Sequence, residues 1–136
     1  MFKNAMKKYE ILKNDHMEVS GETIYRIRAL TNFAEIRKGE LGGYITCEDN
    51  LSHNGDCWVE IGAKAVGKNC RIKDNARMYW ESMATGNAKL EDNAKMFGGS
   101  ICCGTLKDNS MMSGTSVLTD GMTLDGNHKL VDDEVF

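Results

Sequence analysis

From Gly55 to Leu130 the chain keeps a six-residue beat of apolar and polar positions. Each unit reads polar, small, any, apolar. Asp56-Cys57-Trp58-Val59 and Gly62-Ala63-Lys64-Ala65 open the series, and Asn69-Cys70-Arg71-Ile72, Asn75-Ala76-Arg77-Met78 and Glu81-Ser82-Met83-Ala84 follow. Asn87-Ala88-Lys89-Leu90, Asn93-Ala94-Lys95-Met96 and Gly99-Ser100-Ile101-Cys102 continue it. After a short unit ending at Leu106, the beat resumes from Asn109 and closes at Leu130. Six is not near a multiple of 3.6, so the unit cannot be helical. It fits one short strand and one turn, with the small and apolar residues two apart and therefore on one side.

The best self-match lies at three units, not one. Lys73-Asp74-Asn75-Ala76-Arg77-Met78 returns as Glu91-Asp92-Asn93-Ala94-Lys95-Met96, then as Lys107-Asp108-Asn109-Ser110-Met111-Met112. Three units make one triangular coil, and stacked coils pair their strands in parallel about 4.8 Å apart. Asn75 with Asn93, and Asn69 with Asn87, are expected to stack as amide ladders at the corners. The pattern resembles the left-handed parallel β-helix of hexapeptide-repeat proteins, with about four coils of 18 residues. Two slips interrupt it: seven residues from Ala65 to Ile72 predict a bulge at Val66-Gly67. Four residues from Cys102 to Leu106 predict a shortened side or a small loop.

Residues 1–50 read as a cap and 51–136 as the β-helix. Residues 1–8 read as a loose leader. Tyr9–Leu12 and Thr23–Leu30 alternate like the strands of a hairpin, and polar Asn14–Gly21 reads as its turn. Asn32-Phe33-Ala34-Glu35 has a capping residue three before a Glu and predicts a short helix that Gly39 ends. Leu41–Ile45 reads as a turn into a strand, and Glu48–Asn50 as a loop.

Stretches of this sequence are similar to the opening of YdcK-type bacterial and prophage proteins. They are Ile27-Arg28-Ala29-Leu30-Thr31-Asn32-Phe33, Lys38-Gly39, Gly42-Gly43-Tyr44, Asn50-Leu51-Ser52 and Gly55-Asp56-Cys57-Trp58-Val59. The resemblance spans about residues 23–100 and implies an N-terminal cap on a single-stranded left-handed β-helix, in a frequent phage context. It carries no settled activity and transfers no catalytic residue. This chain is far shorter and loses regularity after Cys102.

Candidate chemistry is sparse. An acyltransferase needs a general base, and the three histidines, His16, His53 and His128, read as a turn, a pre-coil and a last-coil residue. Cys57 and Cys70 occupy small inward positions and read as compact apolar residues. Cys102-Cys103 lacks the C-x-x-C spacing of a zinc site. No cofactor or metal is expected.

The outward positions are more informative. On the Asn75 side one column reads Trp58, Arg77, Lys95, Met111 and the next Glu60, Tyr79, Phe97, Ser113, with Trp80 beside Tyr79. Aromatics with Arg are the composition of interface hot spots. Trp58, Arg77, Tyr79, Trp80, Lys95, Phe97 and Met111 are therefore the candidate binding face. Self-association as a dimer or trimer, a host or phage protein, and single-stranded nucleic acid compete for it. A net charge of −3 disfavours the last. The five cysteines, the polar start of the chain and the lack of about 18 consecutive apolar residues fit a cytoplasmic, membrane-free protein. The sequence reads as a non-catalytic binding protein of phage type. The context implied by the resemblance suggests an inhibitor of a host defence system, anti-CRISPR-like. A hexapeptide-type acyltransferase and a virion component are the alternatives.

Overall fold

The structure, a computed structural model, describes residues 7–136. It is built almost wholly of strands: β1 (Tyr9–Val19) and β2 (Glu22–Ala29) form an antiparallel hairpin, and β3 (Leu41–Ile45) pairs antiparallel to β2. The repeat then winds as a left-handed parallel β-helix. The first coil carries β4 (Trp58–Val59), β5 (Lys64–Val66) and β6 (Arg71–Ile72), and the second β7 (Arg77–Met78), β8 (Met83–Thr85) and β9 (Lys89–Leu90). The third carries β10 (Lys95–Met96), β11 (Ile101–Cys102) and β12 (Thr105–Leu106), and the fourth β13 (Met111–Met112), β14 (Val117–Leu118) and β15 (Thr123–Leu124). β16 (Lys129–Leu130) and a parallel bridge from Val117 to Val135 begin another.

Three parallel ladders make the three sides. The first face is β4, β7, β10, β13, β16, and the third is β6, β9, β12, β15. The second continues from the hairpin as β1-β2-β3-β5-β8-β11-β14, so cap and coils share one sheet. β3 and the Leu51–Ile72 bridge supply a partial rung before the first coil. Partial rungs at both ends bring the solenoid to about five turns, against the four expected. Among the described residues no helix is long and apolar enough to cross a membrane.

Each coil sends three apolar side chains to the axis, such as Met78, Ala84 and Leu90, or Met96, Cys102 and Leu106. The small position lies beside them, buried from Cys57 to Ser116, whereas Met122 and His128 in the last units are exposed. Where it is serine, the hydroxyl bonds back to a corner carbonyl, as Ser82 Oγ does to Tyr79 O at 2.6 Å and Ser100 Oγ to Phe97 O at 2.8 Å. This choice of Ala, Cys or Ser follows from volume plus one satisfied hydroxyl. Cys57 and Cys70 are buried as expected. Burial pushes the Cys70 thiol up to about 11 and the Cys102 thiol up to about 12.

Both slips are absorbed at corners. β5 stays paired through Val66↔Thr85, so the extra residue lies beyond the expected bulge, in the turn after Gly67. Gly67 takes φ +105° and its N–H donates to Thr46 Oγ1 at 2.8 Å. Buried Asn50 closes this corner, its Nδ2 donating to Gly67 O at 2.9 Å and Cys70 O at 3.1 Å. The short unit keeps its side, since β12 pairs with both β9 and β15, and only the turn at Cys103-Gly104 contracts.

The cap departs from expectation at three points. The hairpin turn is Ser20-Gly21 alone, with φ +52° and +80°, and residues 14–19 belong to β1. That end of the hairpin is largely exposed, so no apolar alternation marks it. The bulge at Leu12–His16 also breaks the period, and it places His16 in a strand opposite Tyr25. No helix forms at Asn32. Phe33 and Ile36 exchange hydrogen bonds around a tight turn with Ala34 at φ +49°, and Asn32 Oδ1 accepts from Lys38 N at 2.8 Å. The capping residue staples a loop instead. Among the described residues the one short helical turn, 3-10 in type, spans Glu48–Asn50, where a loop was expected. Of the supposed leader, residues 1–6 lie outside the described residues. Lys8 does not fit it: the residue is buried and its Nζ donates to Cys57 O at 2.7 Å.

Gly104 tests the packing account. A Cβ there would strike the Met122 carbonyl and lie 2.6 Å from Thr119 O, whereas at Gly121 (φ +82°) nothing lies within 4 Å. In urea unfolding, Gly104→Ala should cost about 1–3 kcal/mol. Gly121→Ala should cost about 1 kcal/mol from backbone strain alone.

Candidate functional site

Corner chemistry sets the geometry of the first face. After each third-side strand the chain turns through Asp74, Asp92, Asp108 or Gly126, all at positive φ. The N–H of one corner donates to the carboxylate of the corner before it. Asp92 N reaches Asp74 Oδ2 and Asp108 N reaches Asp92 Oδ2, both at 3.0 Å, and Gly126 N reaches Asp108 Oδ2 at 2.8 Å. One residue on, Asn75 Nδ2 donates to Asn93 Oδ1 at 3.4 Å and Asn93 Nδ2 to Asn109 Oδ1 at 3.3 Å. The expected amide ladder thus runs along this corner.

With the corners fixed, the columns align. Trp58↔Arg77, Arg77↔Lys95 and Lys95↔Met111 are direct partners, and Met111↔Lys129 extends the column by one residue the sequence reading did not include. In the neighbouring column the Tyr79 and Phe97 rings stack with centroids 4.7 Å apart and planes 3° from parallel.

The cap divides this face. Trp58, expected on the surface, is fully buried. Phe33 meets its ring edge-on at 5.2 Å and Tyr9 at 6.2 Å, and its Nε1–H has no acceptor. Arg77, also expected outside, is 6% exposed. Its guanidinium joins cap to coil: Nη1 donates to Glu35 Oε2 at 2.7 Å, Nη2 to Glu35 Oε1 at 2.9 Å, Nη1 to Glu60 Oε2 at 3.0 Å and Nε to Asp56 O at 3.0 Å. The bond from Arg77 holds the Glu35 carboxyl below the usual range. Burial raises the Glu60 carboxyl despite the same cation. These two members of the expected face are structural, because residues 33–36 fold over them.

The other five stay on the outside. Lys95 is exposed, Tyr79 and Phe97 are half-buried against each other, and Met111 is half-buried between Lys95 and Lys129 on the neighbouring rungs. Trp80 is 61% exposed, and its ring lies against Gly62 of the coil before, where a Cβ would come within 2.9 Å of Cζ3. Gly62 (φ +91°) is thus the seat of the indole as well as a corner. Next to it Ile61 is 49% exposed. Ile61 was missed, although a large apolar residue in a turn just before glycine is a readable signal. Glu35 was missed without any local signal. Where the cap overhangs, Glu35, Asn75, Tyr79, Asn93 and Lys95 line a groove of about 490 Å³.

The histidines do not converge. His16 and His128 are exposed and contact the carbonyls of Lys13 and Asp125, while His53 packs against the cap. Among the described residues no group of three or more His, Cys, Asp or Glu side chains is placed to hold a metal ion. What the first face presents is an array of ring edges, one open indole at Trp80, and the exposed cations Lys95 and Lys129. No protein-family model matches this chain, and no curated protein matches it.

Arg77→Met should destabilise the fold by about 1–3 kcal/mol in urea unfolding, because Glu60 is left half-buried without its cation. Glu35→Gln should cost less, since the Glu35 side chain is 65% exposed and water replaces much of the pair.

Proposed function

We propose that this is a non-catalytic binding protein that works by protein–protein contact through the open half of its first face. The observation that carries the reading is the ring cluster at the corner of the second coil. Tyr79 and Phe97 lock each other in place, and Trp80 stands exposed on its glycine seat. Ordering a large side chain on binding costs conformational entropy, and here the rungs have already met that cost. Rigid aromatics of this kind are what interface hot spots are made of.

A protein surface fits better than a nucleic acid. Base stacking needs free ring faces, whereas Tyr79 and Phe97 cover one another. Arg77, the second cation of the column, is committed to Glu35 and Glu60, leaving Lys95 beside the rings. Resemblance to YdcK-type proteins supports extending the proposal to a phage-type protein acting in the cytoplasm on a host protein. Inhibition of a defence system, in the anti-CRISPR manner, is then the proposed role. That extension rests on the resemblance alone.

The test is a variant carrying Tyr79→Ser, Phe97→Ser and Trp80→Ser, compared with the unmodified chain in affinity capture from host lysate and in light scattering. Capture of the partner should fall at least about tenfold, with circular dichroism unchanged. If the change abolishes an oligomer instead, the face is a self-interface. If partner capture and oligomeric state both survive on a folded variant, the proposed face is wrong.

A further inference from the structure

We infer that His53 is a proton-operated pin that fastens the start of β1 to the loop entering the first coil, and that protonating it loosens this seam. The inference does not depend on the binding face.

The His53 ring stacks on Tyr9 with centroids 4.2 Å apart and planes 14° from parallel. Its Nδ1 accepts the backbone N–H of Lys8 at 3.1 Å. An imidazole nitrogen that accepts carries no proton, so the neutral ring holds its proton on Nε2. Nε2 is shut away from solvent without a hydrogen-bond acceptor, and the nearest charge is Glu48 Oε1 at 3.3 Å, off the bonding direction. The site therefore fits one tautomer and one charge state.

The surrounding charges divide. Glu48 favours an imidazolium, yet it is already shared with Lys7 Nζ at 3.0 Å. Lys7 and buried Lys8 oppose a third positive charge, and Lys8 Nζ is tied to Gly55 O, Cys57 O and Cys57 Sγ, where it cannot withdraw. Tyr9 faces the ring through its π surface, its hydroxyl donating to Glu48 O and Leu51 O. His53 also borders a groove of about 520 Å³ that carries Arg71, Lys73 and Lys89 against Asp49 and Glu91. Burial holds His53 below the ordinary histidine value against the pull of Glu48, and the two lysines add to it.

The unfolded chain therefore takes up this proton first. The contribution to stability is complete above about pH 6.5 and is lost as pH falls through the lowered value. On protonation Nδ1 loses its lone pair and turns an N–H against the N–H of Lys8, so an attraction becomes a repulsion. The seam lies in the cap that also lays Phe33 on Trp58 and Glu35 on Arg77.

The test is NMR on the full chain, titrated from about pH 8 to about pH 5, following the imidazole nitrogens and the hydrogen-exchange protection of the Lys8 amide. His53 should show the Nε2–H tautomer at the upper end and a midpoint below about 6.5. Lys8 protection should drop at least tenfold with that midpoint. In His53→Gln the side-chain carbonyl can accept the same N–H without titrating, so Lys8 protection should stay flat across the range. Protection of Lys8 that is unchanged through the His53 midpoint, an Nδ1–H tautomer at the upper end, or an unaltered loss of protection in a folded His53→Gln would each overturn the inference. Should His53→Gln not fold, the two wild-type readings decide it.

Discussion

A backbone N–H at an exposed, left-handed corner is the constraint on which this solenoid turns. Such a group has no rung partner of its own and must be satisfied by something. Here the carboxylate of the preceding corner does it, from Asp74 to Asp92 to Asp108 to Gly126. The same aspartates accept positive φ, which Asp tolerates better than most residues. One residue type thus serves twice, and the adjacent Asn75, Asn93 and Asn109 add an amide ladder. Slipping a rung by one residue would orphan these donors and turn the axis-facing side chains outward.

Register held this firmly has a functional consequence. Partners along the first face are 19 residues apart at Trp58↔Arg77, 18 at Arg77↔Lys95 and 16 at Lys95↔Met111, yet the column runs unbroken. Insertion and deletion are confined to the turns at Gly67 and Gly104, leaving the sides flat. A flat side with locked rings is a surface that loses little freedom on contact. The cap then selects which part of it is used. By burying Trp58 and engaging Arg77, it turns the first rungs into a foundation and leaves Tyr79, Phe97, Trp80, Lys95 and Met111 outside.

The coils were legible in the sequence because their determinants are local and periodic. Apolar residues at 78, 84, 90 and 96 and small ones at 76, 82, 88 and 94 announce the triangular section, and Lys73–Met78 against Glu91–Met96 fixes the stacking. The cap was less legible. Asn32 reads equally as a helix cap and as a loop staple, and only the closure of Lys38 onto it decides. The exposed end of β1 has no dry side to give it a period. The exposure of Trp58 and Arg77 was misjudged for a different reason: what covers them, Phe33 and Glu35, lies more than twenty residues away and folds back through contacts that no repeat encodes. Trp80 was read from the sequence and Ile61 was within reach, since a bulky apolar residue at a corner has no interior to fill.

The central claim is that the cap closes one half of the first face and leaves the other open. Hydroxyl-radical footprinting of the free protein, read residue by residue by mass spectrometry, compares its two tryptophans directly. Trp80 should be oxidised rapidly and Trp58 should remain unmodified until the protein is unfolded. Comparable labelling of both in the folded protein, or protection of Trp80 with labelling of Trp58, would contradict the account.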